Sequence, residues 1–195
     1  MKVTIDKAFP IAGSPQATWS VLGDIEAVAS CMPGARITER VDDTHYKGTV
    51  AVKVGPASLS FRGEIEVAAR DDAARSLRLV AKGTDSTGSS AATMDLTASV
   101  ESADGGNSTL KGVCESSVSG KAAAFGGRLM NSVADQILDQ FAANFAARVA
   151  ASNATASQRN ATAPAASHAA NEINGIAFAW SVFKRWLKGI FGGKS

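Results

Sequence analysis

The residues able to do acid–base, nucleophilic or metal chemistry are few and scattered. Of the two histidines, His168 falls in a small, polar stretch with nothing to hold it, and His45 stands beside Asp43 at an expected turn. A Ser-His-Asp or Cys-His site needs its base pre-positioned against a nucleophile, so a solvated turn histidine is the simpler reading of His45. Cys31 and Cys114 each lack a second ligand within a few residues, which is not metal-site spacing. Cys31 reads as a small buried apolar residue, and its exposure decides between that and a reactive thiol. Glu64 and Glu66 alternate with apolar residues and therefore point to water. The Gly-rich "AFGGRLM", Ala124 to Met130, sits inside a helical pattern rather than between a strand and a helix, so it is no phosphate loop. Gly126 and Gly127 there cost about 1 kcal/mol each relative to alanine, which close helix–sheet packing or room for a ligand would offset. No catalytic or metal constellation emerges, and a non-enzymatic protein is expected.

The elements that would hold any site are clearer. Val3, Ile5 and Phe9 oppose Lys2, Thr4 and Asp6 in an opening strand, with Lys7 the exception. Ser14-Pro15 starts a helix that ends at Gly23, Asp24 caps a second one, and Pro33-Gly34 suits a type II turn. From Arg36 to Ser119 the period is close to two. Tyr46, Val50, Val52 and Val54, broken by Gly55-Pro56, are followed by Leu59, Phe61, Ile65 and Val67, a hairpin with one wet and one dry face. Leu77, Leu79, Met94, Leu96, Leu110 and Cys114 continue the pattern around the turn "ADGGN", Ala103 to Asn107. After Gly120, Phe125, Leu129, Val133, Ile137, Phe141, Phe145 and Val149 recur every four residues. That predicts an amphipathic helix of about 28 residues, about 42 Å long.

In a chain of 195 residues with 45% hydrophobic and 19% charged residues, one domain with an appendage is the default. Two cysteines make no disulfide framework, and the N-terminal residues lack the apolar core of a secretory signal, which together read as cytoplasmic. Met1 to Ala150 holds 15 Lys/Arg against 17 Asp/Glu, while Asn171 to Ser195 holds four against one. Nucleic acid is therefore not an expected partner, since no basic face interleaved with aromatics precedes the tail. Residues 151–171 read as a flexible linker of small polar residues. In residues 172–195, Ile176, Trp180, Phe183, Trp186, Leu187, Ile190 and Phe191 share one helical arc beside Lys184, Arg185 and Lys188. Too short an apolar run to span a bilayer, this tail is expected to lie in the interface, with docking on its own domain or on a protein partner as the alternative.

The order of elements resembles the helix-grip fold of the START-like (SRPBCC) superfamily. That is an α+β architecture in which a curved antiparallel sheet of about seven strands wraps a long C-terminal helix. "CMPGA" at Cys31 to Ala35, "YKGTVAVKVGPASLSFRG" at Tyr46 to Gly63 and "GKAAAFGGRLM" at Gly120 to Met130 resemble the carbon monoxide dehydrogenase CoxG family over residues 1–150. The resemblance implies recruitment of a molybdenum hydroxylase such as carbon monoxide dehydrogenase to the inner face of the cell membrane, with the protein itself peripheral. The superfamily's cavity implies a lipophilic ligand. Together they point to a non-covalent respiratory quinone, menaquinone or ubiquinone, carried between membrane and enzyme.

The inward candidates for that cavity are Val50, Val52, Leu59, Phe61, Leu77, Leu79, Met94 and Leu96, facing Phe125, Leu129, Met130, Val133 and Ile137. The same residues would equally fill an ordinary core, because interiors are close-packed. A structural adaptor without ligand therefore stands beside the carrier. A cavity enzyme would need an inward polar group, for which Tyr46, His45, Glu115 and Arg128 are the residues to inspect.

Overall fold

The computed structural model describes residues 1–161 other than Pro56, with only the backbone of 155–161. Seven strands form one antiparallel sheet in the order β1-β7-β6-β5-β4-β3-β2. They are β1 (Lys2–Ile11), β2 (Ala35–Arg40), β3 (His45–Val54), β4 (Ala57–Asp71), β5 (Ser76–Asp85), β6 (Ser90–Ser102) and β7 (Ser108–Gly120). Between β1 and β2 lie helices α1 (Pro15–Leu22) and α2 (Ile25–Cys31), and the long helix α3 (Gly127–Ala161) follows β7. The expected α+β order is thus the observed one.

The local chemistry is as the residues dictate. The Ser14 side chain accepts from the Ala17 N–H with Pro15 at the start of α1, and Asp24 accepts from the Ala27 N–H at α2, each satisfying an otherwise orphaned donor. Met32 O accepts from Ala35 N at 3.1 Å across Pro33-Gly34, closing the expected turn. In the sheet, Gly48, Gly63 and Gly83 stand opposite one another on β3, β4 and β5, with Ala92 next on β6. A Cβ on Gly63 would lie 2.1 Å from Lys82 O and one on Gly48 2.9 Å from Arg36 O. The row lets neighbouring backbones approach on the inner face, where the sheet curls.

The long helix differs from its expected limits at both ends. Lys121–Phe125 is a 3-10 segment, and Gly126 follows in a left-handed conformation (φ 76°) that ends it. The two glycines therefore precede the helix or begin it, instead of interrupting it, and Gly126 is where only a residue without Cβ turns the chain freely. At the other end α3 continues to Ala161, so residues 151–161, read from composition as linker, are helical. The rest of that segment and the amphipathic tail lie outside the described residues.

Most of the core occupies one end of the molecule, while Val54, Val118 and Ala122 are buried at the other. Ile11, Trp19, Leu22, Ile25, Cys31, Tyr46, Leu77, Leu79, Val100, Leu110, Phe141, Phe145 and Val149 form one buried cluster. Here α1 and α2 close the space between the sheet and the C-terminal half of α3. Asn144 Nδ2 donates to Cys31 O at 2.9 Å and Arg148 donates to Ser30 Oγ at 3.1 Å. Phe141 and Phe145 meet with ring centroids 5.6 Å apart, as their spacing on one helical face requires. Burying side chains of this size contributes about 1.5–3 kcal/mol each, so this end fastens helix to sheet.

Candidate functional site

Side chains with chemistry to offer are mostly tied up or turned outward. His45 is exposed at the start of β3, with Nδ1 3.0 Å from the Asp42 carboxylate, not Asp43. That hydrogen bond and charge raise its pKa. Asp42 is held well below the usual carboxylate range, first by the Thr44 N–H and then by His45. Asp43 instead pairs with Arg40 at 2.8 Å. Tyr46 is buried in the core and its hydroxyl donates to Asp43 O, while Glu64, Glu66, Glu115 and Arg128 are exposed. Burial raises the pKa of both Cys31 and Cys114, which keeps the thiols protonated and unreactive at neutral pH. Among the described residues no three His, Cys, Asp or Glu side chains converge as metal ligands do.

The inner face of the sheet is where the sequence placed its apolar candidates, and their burial is graded along α3. Phe145 and Val149 are 0% exposed and Phe141 7%, whereas Met130, Val133 and Ile137 are only half-buried and Leu129 is 37% exposed. The facing strands follow in part, since Val54 at the end of β3 is 0% exposed and Met94 and Leu96 pack against the core cluster. Val50, Val52, Leu59, Phe61, Met94 and Leu96 are half-buried, as is Phe125 on the 3-10 segment. Leu77 and Leu79 differ: at 2% and 8% exposure they belong to the packed cluster, because α1 and α2 cover their end of β5. Eleven of the expected residues are thus half-buried or exposed on the inner face, Met94 and Leu96 of them packed against the core cluster, and two belong to the core itself; the less covered stretch is the candidate groove.

Three further residues share that groove. Val3 and Ile5 of β1 stand opposite Ser116 and Cys114, and Ile65 of β4 pairs with Ala81; all three are half-buried on the inner face. Strand alternation already put them on the dry side, and only the placement of α3 shows that they border the open part. Polar groups on this face are spoken for. Lys7, the exception in the β1 pattern, reaches Asp135 of α3 at 2.9 Å, bridging sheet and helix between the packed and open halves. Its pKa is raised by that hydrogen bond and charge. Asp85 is buried at the β5–β6 turn and accepts from the Ser90 N–H and the Thr87 hydroxyl, with a lowered pKa set first by Thr87. Cys114 Sγ and Ser116 Oγ lie 3.3 Å apart.

Two depressions, of about 340 and 270 Å³, lie elsewhere. One is lined by Arg62, Glu64, Lys82, Thr84 and Thr93 and the other by Lys2, Thr4, Val80, Asp95 and Glu115, among others. These are mostly the outward members of the alternation. Both are open at the surface of the outer face, and the inner face, which carries the larger apolar side chains, is the candidate site.

Solved structures with the same fold are numerous. The chain is similar to a conserved protein from Geobacillus kaustophilus (TM-score 0.69, 19% identity, covering 77% of this chain and 97% of that one). It is also similar to the ZhuI aromatase/cyclase from Streptomyces sp. R1128 (TM-score 0.55, 13% identity, 76% and 94%). A START superfamily protein from Mycobacterium smegmatis matches as well (TM-score 0.51, 17% identity, 75% and 96%). At these identities the likeness establishes a START-like fold and nothing more. No curated protein matches in sequence. The family model for the carbon monoxide dehydrogenase G subunit, CoxG, matches residues 8–150, a span that includes the glycine row, most of α3 and all thirteen inward candidates. By that match the chain belongs to the carbon monoxide dehydrogenase CoxG family.

Proposed function

We propose that this protein is a non-enzymatic carrier and adaptor serving a molybdenum hydroxylase of the carbon monoxide dehydrogenase type. In this reading the open half of the groove holds a lipophilic molecule of the respiratory quinone class, menaquinone or ubiquinone, without covalent attachment. The amphipathic tail then attaches the protein peripherally to the inner face of the cell membrane. The family supports the partner. The observation that carries the ligand is the change from packed to half-exposed apolar side chains along α3, from Val149 at 0% to Leu129 at 37% exposure. A domain that only filled a core would bury both halves alike.

A carrier without chemistry of its own agrees with the inner-face polar groups, since Lys7 is paired with Asp135 and Asp85 is committed to its turn. No helix among the described residues is long and apolar enough to cross a membrane. Attachment in this reading rests on the tail, where each cation near an anionic surface contributes on the order of 1 kcal/mol. Organic extraction of the purified protein followed by mass spectrometry tests the carrier. A quinone or related lipid is expected, and an empty extract together with no uptake of added quinone would leave only an adaptor. Co-sedimentation with liposomes, full chain against a chain ending at Ala161, tests the tail. Equal pelleting of the two removes it from the account.

A further inference from the structure

The charges of the described domain are sorted from end to end. Every ion pair formed among the described residues lies on the packed-end side of the glycine row: Lys47–Glu39, Arg40–Asp43, Arg70–Asp72, Arg78–Asp95, Lys111–Glu101, Lys7–Asp135 and the His45–Asp42 contact. The turns there are rich in carboxylates, with Asp42 and Asp43 between β2 and β3, Asp71 and Asp72 between β4 and β5, and Asp104 between β6 and β7. The open end is the reverse. Residues 49–62 carry Lys53 and Arg62, and residues 119–134 carry Lys121 and Arg128, with no carboxylate in either stretch. Asp85, between β5 and β6, is buried and engaged by Thr87, Ser89 and Ser90. Lys53, Arg62, Lys121 and Arg128 are exposed and make no ion pair or side-chain hydrogen bond with any described residue.

Lys53, Lys121 and Arg128 lie at the open end itself, whereas Arg62, next to Gly63 in the glycine row, is on the outer face of the sheet. Lys53 and Arg62 are on the β3–β4 hairpin, whose residues 52–59 pair only with each other in the ladder. Lys121 begins the 3-10 segment that leads into α3, and Arg128 is in the first turn of α3. Within the rim are the half-buried Leu59 and Phe125 and the exposed Leu129. Unpaired cations around apolar side chains suit a surface that is anionic outside and apolar within. An acidic protein face offers the first property only.

We propose that the open end of the domain docks directly on an anionic bilayer, mouth toward the lipid, so that a lipophilic molecule passes between membrane and groove without crossing water. The inference rests on the carrier reading above and assigns a second membrane contact, on the domain body, distinct from the tail. The carboxylate-rich far end is repelled by the same surface, so charge sets the orientation as well as the attraction.

Lipid quenching of site-specific labels tests it. Cys31 and Cys114 are both buried, so a fluorophore can be placed selectively in the full chain through Ser58→Cys on the hairpin, Ala124→Cys on the 3-10 segment or Ala103→Cys at the far end, all exposed positions. Each is mixed with phosphatidylcholine vesicles containing a brominated lipid and about 30 mol% phosphatidylglycerol, the type of anionic surface on which basic clusters act. Quenching at Ser58→Cys and Ala124→Cys several-fold greater than at Ala103→Cys is expected. It should fall when Lys53→Glu, Lys121→Glu and Arg128→Glu are combined, while the chain still pellets through its tail. An Arg75→Glu control at the far end should leave the quenching unchanged. Pelleting with equal quenching at all three labels would overturn this inference and leave the tail standing. Failure to pellet at all would overturn both. Selective quenching that survives the triple reversal would also overturn it, since the rim charges would then have no part.

Discussion

Replacing one side chain at each end of α3 gives two very different stability changes if the helix is packed at one end and open at the other. Phe145 is fully buried and meets Phe141 in a tilted ring contact, and deleting a buried Phe side chain to Ala costs about 3–5 kcal/mol through lost transfer energy and the cavity left behind. Val133 is half-buried and Leu129 is 37% exposed, so Val133→Ala removes two carbons and Leu129→Ala three from partial cover, worth about 1–1.5 kcal/mol each. For a domain of this size about 1 kcal/mol shifts the melting temperature by roughly 2–4 °C. Phe145→Ala is therefore expected to lower it by about 6–20 °C and the other two by less than about 6 °C. Thermal denaturation followed by circular dichroism measures all three in ligand-free protein. A loss at Val133 or Leu129 as large as that at Phe145 would mean that the inner face is filled along its whole length, and the reasoning that leads to a ligand groove would fail.

Other expectations follow from single contacts. The Asp42 carboxylate raises the His45 pKa, so this contact stabilises the fold fully below the ordinary imidazole pKa and its contribution is lost as pH rises through the folded value. His45→Gln should therefore lower the melting temperature more at about pH 5.5 than at about pH 8.5, and an equal effect at both would contradict the pairing. Gly63→Ala drives a Cβ to 2.1 Å from Lys82 O, whereas at Gly112 the nearest atom is Leu96 Cδ1 at 3.6 Å. Urea titration should show a loss of roughly 1–3 kcal/mol for the first, as for other overpacked sites, and little change for the second. Cys31 and Cys114, buried and with raised pKa values, should react with a thiol reagent at neutral pH only as fast as the protein opens. Rapid labelling of either in the native state would show a reactive cysteine.

The architecture was legible because its signals are local. Alternation from Tyr46 to Val118 defined the strands and their dry face, and a four-residue spacing from Leu129 to Val149 defined the helix. Where the reading of α3 failed, competing physics was at work. Gly126 interrupts the apolar period by backbone conformation, which spacing does not reveal. Residues 151–161 lose the apolar stripe because the domain ends, while their alanines still favour the helical backbone. The site was legible as a face but not as a volume. Leu77 and Leu59 look alike in sequence, and only the position of α1 and α2 makes one core and the other groove wall. Lys7 broke the pattern of β1 because its partner, Asp135, lies 128 positions away in sequence, a pairing no local window contains.

Methyl-resolved NMR of the full chain, titrated with a short-chain quinone, tests the central claim most directly because it reports each wall separately. The account predicts shifts at the methyls of Val52, Leu59, Leu129 and Val133, in the open half, with Leu77, Leu110 and Val149 unmoved in the packed half. No shifts at saturating quinone, or shifts confined to the packed half or to the outward-facing Val80 and Val113, would contradict it.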